Sequence, residues 1–163
     1  MSTSIREHEP PRSFNTEKIY KTLGSLIKLN SKLLAVDETL KTLIEQLEAG
    51  IHQFYQIAIE MPKGKVYPVQ YYTLVIGQYF DAFSKKDTEF GSVFEYSGGK
   101  SFRPEGSKAG MKGLAVRKSV FGNAHLWRDR SFETELTCFS DELIAEIEKA
   151  GLRMPKYNQL KEI

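Results

Sequence analysis

The chain has little cysteine: Cys138 stands alone among 163 residues, which excludes an internal disulfide and any cysteine-built zinc site. A reactive thiol needs a cationic neighbourhood. Cys138 follows Glu133 and Glu135 instead, so it reads as a small apolar residue on a helix face. Histidine is also scarce. His8, His52 and His125 lie far apart, and no pair has metal-ligand spacing. No apolar run reaches the ~20 residues of a membrane helix. The longest, around Tyr71 to Phe83, is interrupted by Gly77, Gln78 and Asp81. The first residues lack the apolar core of a signal peptide. With no export signal and no paired cysteines, the cytoplasm is the expected compartment, and no membrane is expected among the partners.

What is present fits a globular chain. Hydrophobic residues make up 40%, charged residues 27% and aromatics 12%, proportions of a folded rather than a disordered protein. A chain of this length can bury about two-thirds of the surface its unfolded form exposes. The expected organisation is a flexible arm over 1–14, loosened by Pro10 and Pro11, one globular domain over 15–155, and a polar tail over 156–163.

Ile19, Leu23, Leu26, Ile27 and Leu34 recur at three- and four-residue spacing, which predicts an amphipathic helix over about 16–35. Asp37 stands where the N-cap of a second helix belongs. Leu40, Leu43, Ile44, Leu47, Ile51, Phe54 and Ala58 continue an apolar stripe along it until Pro62 and Gly64. An antiparallel helical hairpin follows. Val66 to Ser84 is rich in Val, Tyr, Thr, Ile and Phe, a strand composition, in two pieces broken at Gly77. The same residues also fit one helical face, with Pro68 in a permissible first-turn position. Phe94-Glu-Tyr reads as a short strand. Five glycines and a proline between Ser97 and Gly113 predict a long loop. Leu114–Val120 and Ala124–Trp127 read as paired strands around Gly122-Asn123. A last helix is expected from Phe132 to Ala150, capped by Ser131 and stopped by Gly151.

The net charge is +2 from 23 basic and 21 acidic residues, but it is unevenly placed. Between Gly99 and Arg130 stand Lys100, Arg103, Lys108, Lys112, Arg117, Lys118, Arg128 and Arg130, against only Glu105 and Asp129. That window carries +6 and the remainder −4. Clustered cations release the counterions of a phosphate backbone, and glycines beside them let backbone amides approach phosphate oxygens. Phe102, Phe121 and Trp127 supply rings that stack on unpaired bases, at ~1–3 kcal/mol each. The plainer alternatives are a solvated loop and, for the rings, core packing.

Catalytic motifs fail on spacing. Gly99-Lys100-Ser101 ends like a phosphate-binding loop, but the glycine required five positions before Gly99 is Phe94. Asp81, Glu89 and Glu95 with Lys100 lack the close acid–lysine pairing of a metal-dependent nuclease. His52 reads as a structural histidine beside an apolar face. His125 has no nucleophile or carboxylate placed beside it by sequence.

The expected fold is α+β: an N-terminal helical hairpin and a C-terminal helix packed on a small antiparallel sheet, with a long basic Gly-rich loop. A helical bundle with a β-hairpin insert is the alternative. The expected function is a non-enzymatic nucleic-acid-binding accessory protein with no cofactor and no metal. It would contact DNA or RNA through Lys100, Arg103, Lys108, Lys112, Arg117, Lys118, Trp127, Arg128 and Arg130. The alternative is a protein–protein adaptor or inhibitor whose basic segment meets an acidic partner surface, with self-association through the helices.

Overall fold

A computed structural model describes residues 12–30, 32–96, 98 and 101–163. The expected arm lies outside them up to residue 11, and so does Lys100. Among the described residues the protein is mostly β, with thirteen strands and four short helices. Neither the helical hairpin nor the helical bundle is formed. The chain divides into two compact units, Met1–Gly77 with Ser140–Pro155, and Gln78–Phe139 with Lys156–Ile163.

In the first unit, β1 (Ser13–Asn15), β2 (Leu26–Lys28), β3 (Leu34–Asp37), β4 (Gln53–Met61), β5 (Lys65–Val66) and β6 (Tyr71–Val75) form one sheet. Its order is β1-β4-β6-β3-β2, with β5 folded back on the end of β4. α1 (Glu38–Leu47) and α4 (Asp141–Lys149) pack on each other and bury Leu40, Ile44, Leu143 and Ile147. Alternation along the strands gives the sheet two apolar faces. Ala35, Ile57, Ile59 and Tyr71 share one core with Leu29, Met61 and Tyr67. Phe54, Tyr72 and Leu74 occupy the opposite register, where the Lys41 ammonium of α1 lies 5.1 Å from the Tyr72 ring.

The helix expected over 16–35 is replaced by a loop and the β2–β3 hairpin, because local polar groups turn the chain. The Asn30 carboxamide accepts from the amides of Lys32 and Leu33, both at 2.9 Å, an alternative the helix cannot match. Gly24 lies so close to another segment that a Cβ there would sit 2.8 Å from the Arg153 carbonyl oxygen. The second expected helix is correct only to Leu47. Gly50 takes φ 74° and turns the chain into β4, where Ile57 and Ile59 point to one face at strand period. Gly77 ends β6's neighbourhood in a packed turn: a Cβ there would collide with the Ile51 carbonyl oxygen.

In the second unit, β7 (Tyr79–Phe80), β11 (Leu126–Asp129) and β12 (Leu136–Phe139) form a sheet in the order β12-β11-β7. β8 (Val93–Tyr96) pairs antiparallel with β9 (Ser101–Pro104), and β10 (Ala115–Val116) pairs parallel with β13 (Lys161–Glu162). α2 (Lys108–Gly113) and α3 (Lys118–Phe121) complete it. Three sequence expectations change here. The Gly-rich segment expected as a loop carries β9 and α2. The strand pair around Gly122-Asn123 does not form, since β11 pairs with β7 and β12 instead. The C-terminal helix starts at Asp141, capped by Ser140 rather than Ser131, and Leu136–Phe139 is a strand.

Candidate functional site

The structure separates the basic residues into two groups. Arg117, Lys118, Arg128 and Arg130 are held by the unit they belong to. A guanidinium nitrogen of Arg117 donates to the Asp81 carbonyl at 2.7 Å, and Arg130 lies 3.2 Å from the Asp81 carboxylate. Arg128 pairs with Glu135 at 3.1 Å, and Lys118 approaches Glu162 at 3.7 Å. Asp81, Glu135 and Glu162 all lie outside the 99–130 window. The +6 therefore belongs to a stretch of sequence rather than to a surface. The whole second unit has twelve basic and nine acidic residues, a net +3.

The aromatic residues of the window face inward. Trp127 is 3% exposed and stacks on Phe121, with centroids 4.4 Å apart and planes 15° apart. Phe102 packs against Phe83 at 4.8 Å. Their rings fill the core. Lys100 lies outside the described residues.

Arg103, Lys108 and Lys112 remain exposed on β9 and α2, and these elements form one hydrogen-bonded piece with the turn before β8. The Ser92 amide donates to the Glu89 carbonyl at 3.1 Å, closing a turn with Gly91 at φ 81°, the conformation that glycine adopts at the third position of a type II turn. The Glu89 amide donates to the Gly113 carbonyl at the end of α2, and the Glu105 amide donates to the Ser92 carbonyl. A Cβ at Gly113 would collide with the Ser92 hydroxyl, so α2 and this turn need the glycine to meet.

That piece presents aromatic residues the sequence reading missed. Phe90 occupies the second position of the turn and is completely exposed, Phe94 is 55% exposed and Tyr96 38%. Phe94 stands directly opposite Arg103, and Tyr96 opposite Ser101, so the four share one face of the hairpin. Val93 and Phe102 hold the other face against Phe83 and Phe132. A residue such as Phe90 just before the glycine of a tight turn was the available signal. Which face of the hairpin turns outward was not readable, because Phe94 and Tyr96 stand on one face and Phe102 on the other.

Three of the nearby acids have internal work, while Glu89 stands exposed at the start of the turn. Glu95 pairs with Lys85, Asp87 accepts from the Ser84 hydroxyl at 2.5 Å, and Glu105 accepts from the Ser107 amide at 3.0 Å. Asp81, Glu89 and Glu95 do not converge as a metal cradle. Among the described residues no group of three or more His, Cys, Asp or Glu is placed to hold a metal ion. His52 is structural: its Nδ1 accepts from the Gly77 amide at 3.2 Å, which leaves Nε2–H to donate to Glu48 at 2.7 Å.

A family model described as the Immunity protein family (Imm11) matches residues 4–162, nearly the whole chain. The chain belongs to this family. No functionally described protein matches the sequence. Membership in the immunity protein family implies a protein partner, so the reading as a DNA- or RNA-binding protein gives way to the alternative of a protein-binding inhibitor. Among the described residues of this immunity-family chain, no helix is long and apolar enough to cross a membrane.

Proposed function

We propose that the protein is an immunity protein that protects a cell by binding a toxic protein directly, without catalysis, on a surface where the partner is acidic. The single observation that carries this is the family match over residues 4–162. The acidic partner surface is supported by Arg103, Lys108 and Lys112, which stand exposed with no ion pair from the described residues. Complementary charge of this kind speeds encounter and selects partners more than it adds raw affinity.

A growth-rescue selection tests the function. Fragments of the genome the protein comes from are expressed in a host cell, and those that arrest growth are re-tested with this chain co-expressed. We expect at least one growth-arresting chain to be rescued, and the purified pair to form a stoichiometric complex whose association slows as salt rises. Rescue by trace amounts of this chain, with no complex, would contradict binding as the mechanism.

A further inference from the structure

Resting on that reading, we propose that the toxin docks on the face built from the Glu89–Ser92 turn, the β8–β9 hairpin and α2, with Phe90 and Phe94 as apolar anchors and Arg103, Lys108 and Lys112 as a cationic rim. Large apolar side chains are exposed elsewhere too, but here three aromatic residues fall within seven positions, and Phe90 has no shielding at all. Exposed aromatic residues beside an arginine make up the composition of binding hot spots. Phe94 and Arg103 are cross-strand neighbours, so one partner feature meets both.

Rigidity is the second reason. The turn, the hairpin and α2 are tied by the bonds Glu89 to Gly113, Ser92 to Glu89 and Glu105 to Ser92. The inner side chains Val93 and Phe102 are fixed in the core beneath. A backbone held in place before binding leaves only the anchors' own side-chain rotations to be lost when they bind.

Charge identifies the occupant. Asp87, Glu95 and Glu105 are each turned to a partner within the unit, while Glu89 is exposed at the start of the turn, so the face sets three exposed cations against this one further carboxylate. Arg103, Lys108 and Lys112 face solvent on β9 and α2. A surface of this pattern fits an apolar depression ringed by Asp and Glu on the toxin. It does not fit a second copy of the same face, which would bring like charges together.

The test uses the full-length chain and the growth-arresting chain recovered in the rescue selection, with affinity measured by calorimetry. We expect Phe90→Ala and Phe94→Ala each to weaken binding by about tenfold or more, and Arg103→Glu to slow association. Phe94→Tyr should keep most of the affinity. Val69→Ser, at an exposed position of the first unit, should bind as the unaltered chain does. Circular dichroism melts confirm folding, since the replaced side chains are solvent-exposed. Tight binding by the natural chain with unchanged affinity in Phe90→Ala, Phe94→Ala and Arg103→Glu alike would overturn this surface and leave the immunity function standing. Failure of the natural chain to bind any rescued toxin would overturn the function itself. A homodimer that Phe94→Ala dissociates while toxin binding persists would assign the face to self-association and overturn the inference as well.

Discussion

Asp129 has no exposed surface, and its carboxylate accepts from the amides of Ala82 and Phe83 on one oxygen and of Ser131 on the other, at 2.9–3.0 Å. It ties the exit of β7 to the end of β11. In Asp129→Asn one acceptor becomes a donor facing buried amides. We expect a loss of about 2 kcal/mol or more, read as a lower urea midpoint with an unchanged slope. Nothing in the sequence distinguished this acid from a surface aspartate, because two of its three partners are backbone amides nearly fifty residues away. Burial, and then the nearby Asp129 charge, push the Cys138 thiol from 9.0 up to about 12. Burial, then Tyr67 and Asp37, push the Tyr71 hydroxyl from 10.0 to about 12. The folded chain therefore keeps protons that the unfolded chain releases. Stability from these groups is complete below about pH 9 and is lost as pH rises towards 12. Urea midpoints at pH 8, 9.5 and 11 should fall, and Cys138→Ala should flatten part of the slope. An unchanged midpoint across that range would contradict the burial of both groups.

Elements were legible where a local signal met no competitor. Asp37 reads as a cap from sequence, and its carboxylate accepts from the Leu40 amide at 2.9 Å. Gly151 reads as a stop, and it closes α4 at φ 66° while Leu152 donates to the Ile147 carbonyl at 3.1 Å. The start of α4 was misplaced because Leu136 and Phe139 of β12 fall in line with Leu143 and Ile147 at helical spacing. The same coincidence joined Ile51, Phe54 and Ala58 of the loop and β4 to α1. Periodicity of 3.6 and of 2 overlap over a few residues, and only the partner strand decides between them. The reassigned cap has a measurable consequence. Ser140→Ala removes the acceptor for the Leu143 amide, at 3.1 Å, and should cost about 1 kcal/mol. Ser131→Ala should change thermal stability by less than about half that. The reverse order would mean that the helix begins earlier. Gly77→Ala should be far more damaging than either, since backbone must move to admit the methyl group.

At the scale of the whole molecule, the sequence exposed the right class of residue and the wrong use for it. Eight cations in a short window looked like one anion-attracting surface. Four of them spend their charge on Asp81, Glu135, Glu162 and a backbone carbonyl, pairings that depend on the tertiary fold. Trp127 and Phe121, read as stacking platforms or core residues, fill the core. Arg103, Lys108 and Lys112 remain, beside the unforeseen Phe90, Phe94 and Tyr96. The alternative reading as a protein-binding inhibitor anticipated the protein partner that family membership implies, though composition alone favoured nucleic acid. The most direct measurement is amide hydrogen exchange of the chain alone and in complex with the rescued toxin. We expect slowed exchange concentrated over residues 89–112, with little change in β4–β6. Protection confined to the first unit, around Val66 and Val69, would contradict the account.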